Sequence, residues 1–245
     1  MSSETADVVV IGGGAAGLSA ARALQACGAR VVILEAGAKP GGRVLHDSSL
    51  ARWPLELGPE FIHGETDNRL LDLVRSGLRG RPDAELVELT WPNYYWFNKE
   101  GRLMPAEEAD ELDDVALMHE SFEKLGELEA TAVAEQSLLQ YFSSCGLSSR
   151  VLDLADAIFA NDYGGDMSDI GLREVVHEQR AWRHGEKYLV LRGACLQDAM
   201  DTLAHGLDLR TGWKAQTIRV HPVGVAANGV AGTSPWRVEV SFYLL

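Results

Sequence analysis

Gly12-Gly13-Gly14-Ala15-Ala16-Gly17 has the spacing G-x-G-x-x-G, whose chemistry is that of a phosphate cradle. Gly12 permits a tight turn, and Gly14 lets the backbone come close to a pyrophosphate. Gly17 lets a helix pack close against a sheet. A helix that opens here presents free N–H groups and a partial positive charge to phosphate. Farther on, Glu35 offers a carboxylate that accepts hydrogen bonds from an adenosine ribose and repels a 2′-phosphate. FAD or NAD therefore fits better than NADP. The plain alternative is a glycine-rich turn that holds no ligand.

Three local elements must position these groups. Val8–Ile11 is a continuous apolar run, as expected of a parallel strand buried on both faces. The Ala-rich stretch that follows predicts a helix to about Cys27, ended by Gly28. Val31–Leu34 predicts a second strand that closes on Glu35. Strand, glycine turn, helix, strand and terminal acid make one β-α-β unit.

Two further segments narrow the reading. Glu35-Ala36 leads through Lys39 to Gly41-Gly42-Arg43, and Leu55–Gly64 reads L-E-L-G-P-E-F-I-H-G. They resemble the patterns E-A-x-x-R-x-G-G-R and L-G-A-x-[WF]-[IV]-H-G of the FAD-containing amine oxidases: monoamine oxidases, polyamine oxidases and flavin histone demethylases. Lys39 stands at the first arginine of the former pattern, and Pro59 replaces the alanine of the latter. Asn68 and Leu70 are similar to the short N-P-L element that follows in the family. The resemblance implies non-covalent FAD, with Gly42 against the cofactor and Arg43 forked onto phosphate. It also implies that Gly58, Pro59 and Glu60 run beside the isoalloxazine and that His63 stands on the active-site wall. Taken alone, His63 reads as a packed or surface histidine. In Leu207–Val220, Ala215 occupies the place where the family touches adenine through main-chain atoms.

The implied fold class is α/β: a Rossmann-like FAD/NAD(P)-binding domain, incomplete, with an inserted, largely helical substrate-domain lobe. Residues 1–80 and 186–245 are expected to form the first, and 81–185 the second. Within the latter, Glu85–Leu89 and Tyr94–Phe97 predict strands, with a hairpin turn at Asn98–Arg102. Trp91, Tyr94, Tyr95, Trp96 and Phe97 suit either a cage for a cation or the alternate packing of a small sheet. From Pro105 the steps Leu112, Val115, Met118, Phe122, Leu125 and Leu128 predict an amphipathic helix. Glu135–Cys145 and Arg150–Phe159 predict two more, with a loop at Asn161–Gly165. Tyr188–Leu191 predicts a strand, Leu196–Leu203 a helix, and Val223–Val240 a hairpin turning at Asn228-Gly229 and Ser234-Pro235.

Composition sets the outer bounds. A net charge of −14 argues against nucleic acid and suits cationic amines, although simple solubility accounts for it as well. Cys27, Cys145 and Cys195 have no paired spacing and read as reduced thiols, and the histidines show no metal-ligand spacing. No apolar run approaches the roughly 18 residues of a membrane span, and the polar start Met1–Asp7 is unlike a leader. The cytoplasm is the expected location.

The function implied is an FAD-dependent amine oxidase, polyamine favoured, acting by hydride transfer to flavin with O2 as acceptor. The alternatives are a non-catalytic dinucleotide-binding or interaction fragment of that family, and an NAD dehydrogenase, which would have no use for the second and third motifs. The family's flavin-side lysine and substrate cage belong to later segments than any found here. The resemblance is thus to an N-terminal half, expected to turn over poorly by itself.

Overall fold

A computed structural model describes residues 4–79, 81–89, 93–222 and 236–244. Trp91 and both turns expected between Val223 and Pro235 lie outside these residues. The chain opens with β1 (Val8–Ile11), α1 (Ala15–Ala26) and β2 (Val31–Glu35). Short strands β3 (His46–Asp47), β4 (Leu55–Glu56) and β5 (Ile62–His63) precede α2 (Arg69–Gly77). Next come β6 (Glu85–Leu89), β7 (Tyr94–Phe97), β8 (Arg102–Pro105), α3 (Ala106–Ala109), α4 (Asp113–Glu123) and α5 (Leu138–Ser144). Helices α6 (Ser149–Ala155), α7 (Asn161–Tyr163) and α8 (Leu172–Ala181) follow. The order closes with β9 (Tyr188–Arg192), α9 (Leu196–Ala204), β10 (Asp208–Thr211), β11 (Trp213–Pro222) and β12 (Trp236–Leu244). No helix among the described residues is long and apolar enough to cross a membrane.

The chain divides into two compact units. The first takes Met1–His63, Asn68–Glu88 and Leu189–Leu245; the second takes Gly64–Asp67 and Leu89–Tyr188.

In the first unit β2 lies between β1 and β10, parallel to both. Val31, Val32, Ile33 and Leu34 are all buried, as a central parallel strand requires. The like run in β1 behaves differently. Val9 and Ile11 remain 39% and 46% exposed, so the expectation of burial on both faces fails for β1. Among the described residues β1 is an edge strand, and only Val8 and Val10 pack on the core.

Leu18 and Ala21 of α1 pack into the same core as Ile33, Leu71, Val74, Leu196, Ala199 and Met200. Arg22 ties α1 to the end of α9, donating from Nε to the Leu203 carbonyl at 3.0 Å and from Nη2 to those of Thr202 and His205. A cation at a helix C-terminus is also favoured by the partial negative charge of the helix dipole there. Asn68 caps α2, its Oδ1 accepting from the N–H groups of Leu70 and Leu71 at 3.0 and 3.2 Å.

The expected single stretch Leu207–Val220 is divided by Gly212, at φ 72°, into β10 and β11, which serve different sheets. β11 pairs antiparallel with β12, so the C-terminal hairpin joins 213–222 to 236–244 rather than lying within 223–240.

The second unit has its own core. In the β7–β8 hairpin Tyr95 and Phe97 are buried while Tyr94 and Trp96 are 60% and 54% exposed, the alternation of a half-buried strand. The long helix expected from Pro105 is broken. Leu112 takes an extended conformation, φ −80° and ψ 130°, and α4 restarts at Asp113-Asp114, acids suited to a helix N-terminus. Ser137 and Gln140 cap α5 reciprocally. After α6 the helix continues through a π-helical turn, Asp156–Ala160, into α7, where a loop is expected from sequence. α8, with Leu172, Val175 and Val176 buried, has no counterpart among the expected elements. Phe122, partly buried, stacks on Phe159 of this core at 4.0 Å.

One glycine carries much of the first unit. A Cβ on Gly17 would lie 2.0 Å from the Gly12 carbonyl oxygen, with backbone on both sides of the contact. Gly17→Ala should therefore cost about 3 kcal/mol or more, the upper range for overpacking. Gly126→Ala, with nothing within 4 Å of the new methyl, should be neutral or slightly stabilising. Urea unfolding of the two variants distinguishes them.

Candidate functional site

β1 delivers the chain into the first glycine turn. Gly12 takes φ 101°, a conformation only glycine adopts readily, and its N–H donates to the Leu34 carbonyl at 2.8 Å. Gly13 is buried, and its N–H donates to Glu35 Oε2 at 2.6 Å. Gly14, extended at φ −77° and ψ 177°, is the N-cap of α1. Among the described residues no side chain caps this helix and no acid stands in its first turn, so the N–H groups of Ala15, Ala16 and Gly17 meet no side-chain acceptor there. A Cβ on Gly14 would meet nothing nearer than Gly42 Cα at 3.8 Å. The fold itself does not require glycine there.

The second glycine pair lies against the first. Gly41 donates its N–H to the Gly13 carbonyl at 2.8 Å and forms a bridge with Gly14. A Cβ on Gly42, which takes φ 63°, would stand 3.3 Å from Gly14 Cα. The third segment meets the second in turn. Leu57 N–H donates to the Leu45 carbonyl at 2.8 Å, and a Cβ on Gly58 would sit 2.1 Å from the Arg43 carbonyl oxygen. Gly58 is small because Arg43 is close, a reason internal to the fold.

Glu35 joins these parts. Besides the Gly13 amide it accepts the Gly37 N–H through Oε1 at 2.6 Å, so one carboxylate spans both loops. A carboxylate offers about four lone-pair sites, which leaves acceptor capacity for ribose hydroxyls. Ala36 is half-buried beside it, while Lys39, Arg43, Pro59 and Glu60 are exposed.

The structure thus brings together Gly12–Gly17, Glu35, Ala36, Gly41–Arg43 and Gly58. His63 and Ala215 sit on other elements. His63, in β5, is exposed; its carbonyl accepts from Asn68 Nδ2 at 2.8 Å and its ring meets Phe61 edge-on at 6.1 Å. Ala215 lies in β11 opposite Phe242, three residues past Gly212, whose N–H donates to the Gly37 carbonyl at 2.9 Å.

Two residues at the site escape a reading of motifs. Gln197, buried at the start of α9, donates through Nε2 to the Pro40 carbonyl at 2.9 Å. Glu56 Oε1 accepts the Leu196 N–H at 2.5 Å, and its Oε2 is buried without a partner among the described residues. The available signal was slight: a polar Gln197 beside the apolar Leu196, Ala199 and Met200, and an acid just before Leu57-Gly58. Burial pushes the Glu56 carboxyl above the usual carboxylate range; Glu60 and Asp198 add to the shift, and the Leu196 amide and His46 oppose it. Burial likewise pushes the Cys195 thiol up, which makes it a poor nucleophile.

Comparison with known proteins fits this arrangement. The family model described as flavin containing amine oxidoreductase matches residues 15–235, and the chain belongs to that family. Polyamine oxidase 2 of Arabidopsis thaliana is 28% identical over 236 residues, 89% of this chain but 46% of that protein. A histone demethylase, lysine-specific histone demethylase 1 homolog 3 of the same plant, is 51% identical over 57 residues, 23% of this chain and 4% of that one. Among solved structures, cyclohexylamine oxidase from Brevibacterium oxydans superposes with a TM-score of 0.67 at 21% identity, over 88% of this chain and 52% of its own. That likeness is one of fold. The chain spans about half the length of the curated relatives that it matches over most of its own length.

Glu56 gives the site a pH signature. A carboxyl whose folded pKa is raised contributes stability that is full below the unfolded value and lost as pH rises through the folded one. The wild-type chain should therefore lose urea stability relative to Glu56→Gln as pH rises above about 4. A difference that stays constant with pH would contradict this.

Proposed function

We propose that the first unit holds the ADP half of a non-covalently bound FAD, as a Rossmann-like dinucleotide-binding domain, in a protein that oxidises amines. The observation that carries the reading is the uncapped N-terminus of α1 beneath Gly14, faced by Gly41-Gly42 and flanked by Glu35. Backbone N–H groups and the helix dipole suit a pyrophosphate, and Arg43 supplies a planar fork for the same charge. Glu35 accepts ribose hydroxyls in addition to the Gly13 and Gly37 amides. Gly58, Pro59 and Glu60 carry the chain along the flavin side, and His63 stands on the wall where the amine binds. Ala215 meets adenine through its backbone. The second unit is then part of the substrate domain.

Polyamines are the favoured substrate class, supported by the match to polyamine oxidases and by a net charge of −14, which attracts polycations. When bound, the flavin supplies the redox chemistry, taking hydride from the carbon beside the amine nitrogen and passing the electrons to O2. The residues of this chain bind, orient and exclude water.

A second reading, a non-catalytic interaction fragment, is favoured by one observation. Ile218, Val220, Val238, Phe242 and Leu244 on one face of the β11–β12 hairpin are 42% to 67% exposed. That reading expects flavin binding without amine turnover.

Titration with FAD and with ADP tests the cofactor site. Gly14→Ala should keep the thermal midpoint, since its methyl makes only ordinary contact, yet weaken both ligands more than about tenfold by blocking the pyrophosphate. Glu35→Ala should weaken them by about 1–3 kcal/mol, the scale of a lost charge-assisted hydrogen bond. Equal affinity in wild type and Gly14→Ala would reject the site. For turnover the measurement is hydrogen peroxide release with spermine, spermidine, acetylated polyamines and monoamines. Polyamines should give the highest rate, and His63→Ala should lower it; release unaffected by that change would remove His63 from the active-site wall.

A further inference from the structure

We propose that Gln197 is a positioning residue: the first turn of α9 acts as a latch that fixes the Gly41–Arg43 turn against the Gly13–Gly14 turn. The inference rests on the cofactor reading above for its purpose, but its geometry stands without it.

Gln197 is 6% exposed, and a buried amide must find partners. Its Nε2 makes two donations, to the Pro40 carbonyl at 2.9 Å and to Asp201 Oδ1 at 2.8 Å. Asp201 lies one helical turn on, at i+4, where side chains share a helix face. Its Oδ1 and the Pro40 carbonyl both accept from the same –NH2, so together they hold that end of Gln197, not the carbonyl end, toward Pro40. Pro40 has no N–H of its own, and its carbonyl is the last polar group before the glycine pair. The other end of the amide is equally constrained. Gln197 Oε1 would lie 2.8 Å from a Cβ on Gly41, so the glutamine fills the space that the missing side chain leaves.

From there the connection runs on. Gly41 donates to the Gly13 carbonyl, and Gly13 donates to Glu35. The adjacent Leu196 N–H holds Glu56, which fixes the segment entering Leu57-Gly58. The far end of α9 is pinned to α1 by Arg22. One helix, held at both ends, therefore orients the second and third glycine segments around the N-terminus of α1. A helix that only filled the core would have no need of a doubly donating amide in its first turn.

Hydrogen exchange on the ligand-free chain, together with ADP titration, tests the latch. Gln197→Met keeps the length and volume of the side chain and removes both donors. It should strip protection from the Gly41 and Val44 amides, which bond to Gly13 and Gly41, and leave Gly12, bonded to Leu34, protected. ADP should bind about tenfold more weakly, the scale of one lost buried hydrogen bond. Asp201→Asn, which keeps an acceptor for Gln197, should retain both protection and affinity. Unchanged protection at Gly41 in Gln197→Met overturns the proposal. Protection lost equally at Gly41 and Gly12 also overturns it, because Gln197 would then serve general stability. A wild-type chain that fails to bind ADP, while Gly41 protection still depends on Gln197, would reject the cofactor reading and uphold the latch.

Discussion

In the first unit backbone must touch backbone at three places, and the candidate site exists because it does. Gly17 lies on the Gly12 carbonyl, Gly42 on Gly14, and Gly58 on the Arg43 carbonyl. A methyl group at Gly17 or Gly58 would fall far inside van der Waals contact, and one at Gly42 would be tight. These approaches line the region with peptide dipoles instead of side chains. Buried peptide groups need partners, and here they have them: Gly12 with Leu34, Gly13 with Glu35, Gly41 with Gly13. What the arrangement leaves uncapped is the start of α1, and an uncapped helix start is where an anion gains most.

Two carboxylates hold this frame, and their surroundings give them different capacities. Glu35 is half-buried and accepts two short hydrogen bonds from separate loops, one on each oxygen, which leaves it further acceptor capacity. It can accept from a ligand without abandoning the loops. Glu56 accepts one amide, and its other oxygen is sealed off, which is why burial dominates its titration. Glu35 thus suits recognition, and Glu56 suits attachment. In a chain of net charge −14, neither acid is spent on solubility alone.

The local parts of this design were legible in the sequence and the distant parts were not. The glycine turn, α1, β2 and Glu35 are contiguous, so spacing alone carried the β-α-β unit. His63 and Ala215 rested on family resemblance, and they lie on other elements, β5 and β11. Gln197 and Glu56 could not be read, because their hydrogen bonds join residues 157 and 140 positions apart. The misreadings share a cause. The apolar run of β1 says what the residues are, not how many neighbours they acquire, and among the described residues β1 acquires one strand. α8 is hidden because its buried Leu172, Val175 and Val176 are diluted by charged neighbours. The break at Leu112 is set by backbone geometry that an unbroken three-and-four periodicity does not reveal.

The two units also tolerate change for different reasons. In the second unit, order comes from the fit of large side chains, such as Phe122 on Phe159 and Arg150 over Phe97 while paired with Asp114 and Glu100. Stability there depends on volume, and truncating a buried aromatic side chain leaves a cavity. In the first unit the decisive positions near the site have no side chain, so the sensitive changes add atoms. Gly14 is the exception that separates fold from function. The fold leaves room for a methyl at Gly14, whereas it leaves none at Gly17 or Gly58. Glycine at that position leaves open the close approach that the proposed pyrophosphate contact needs.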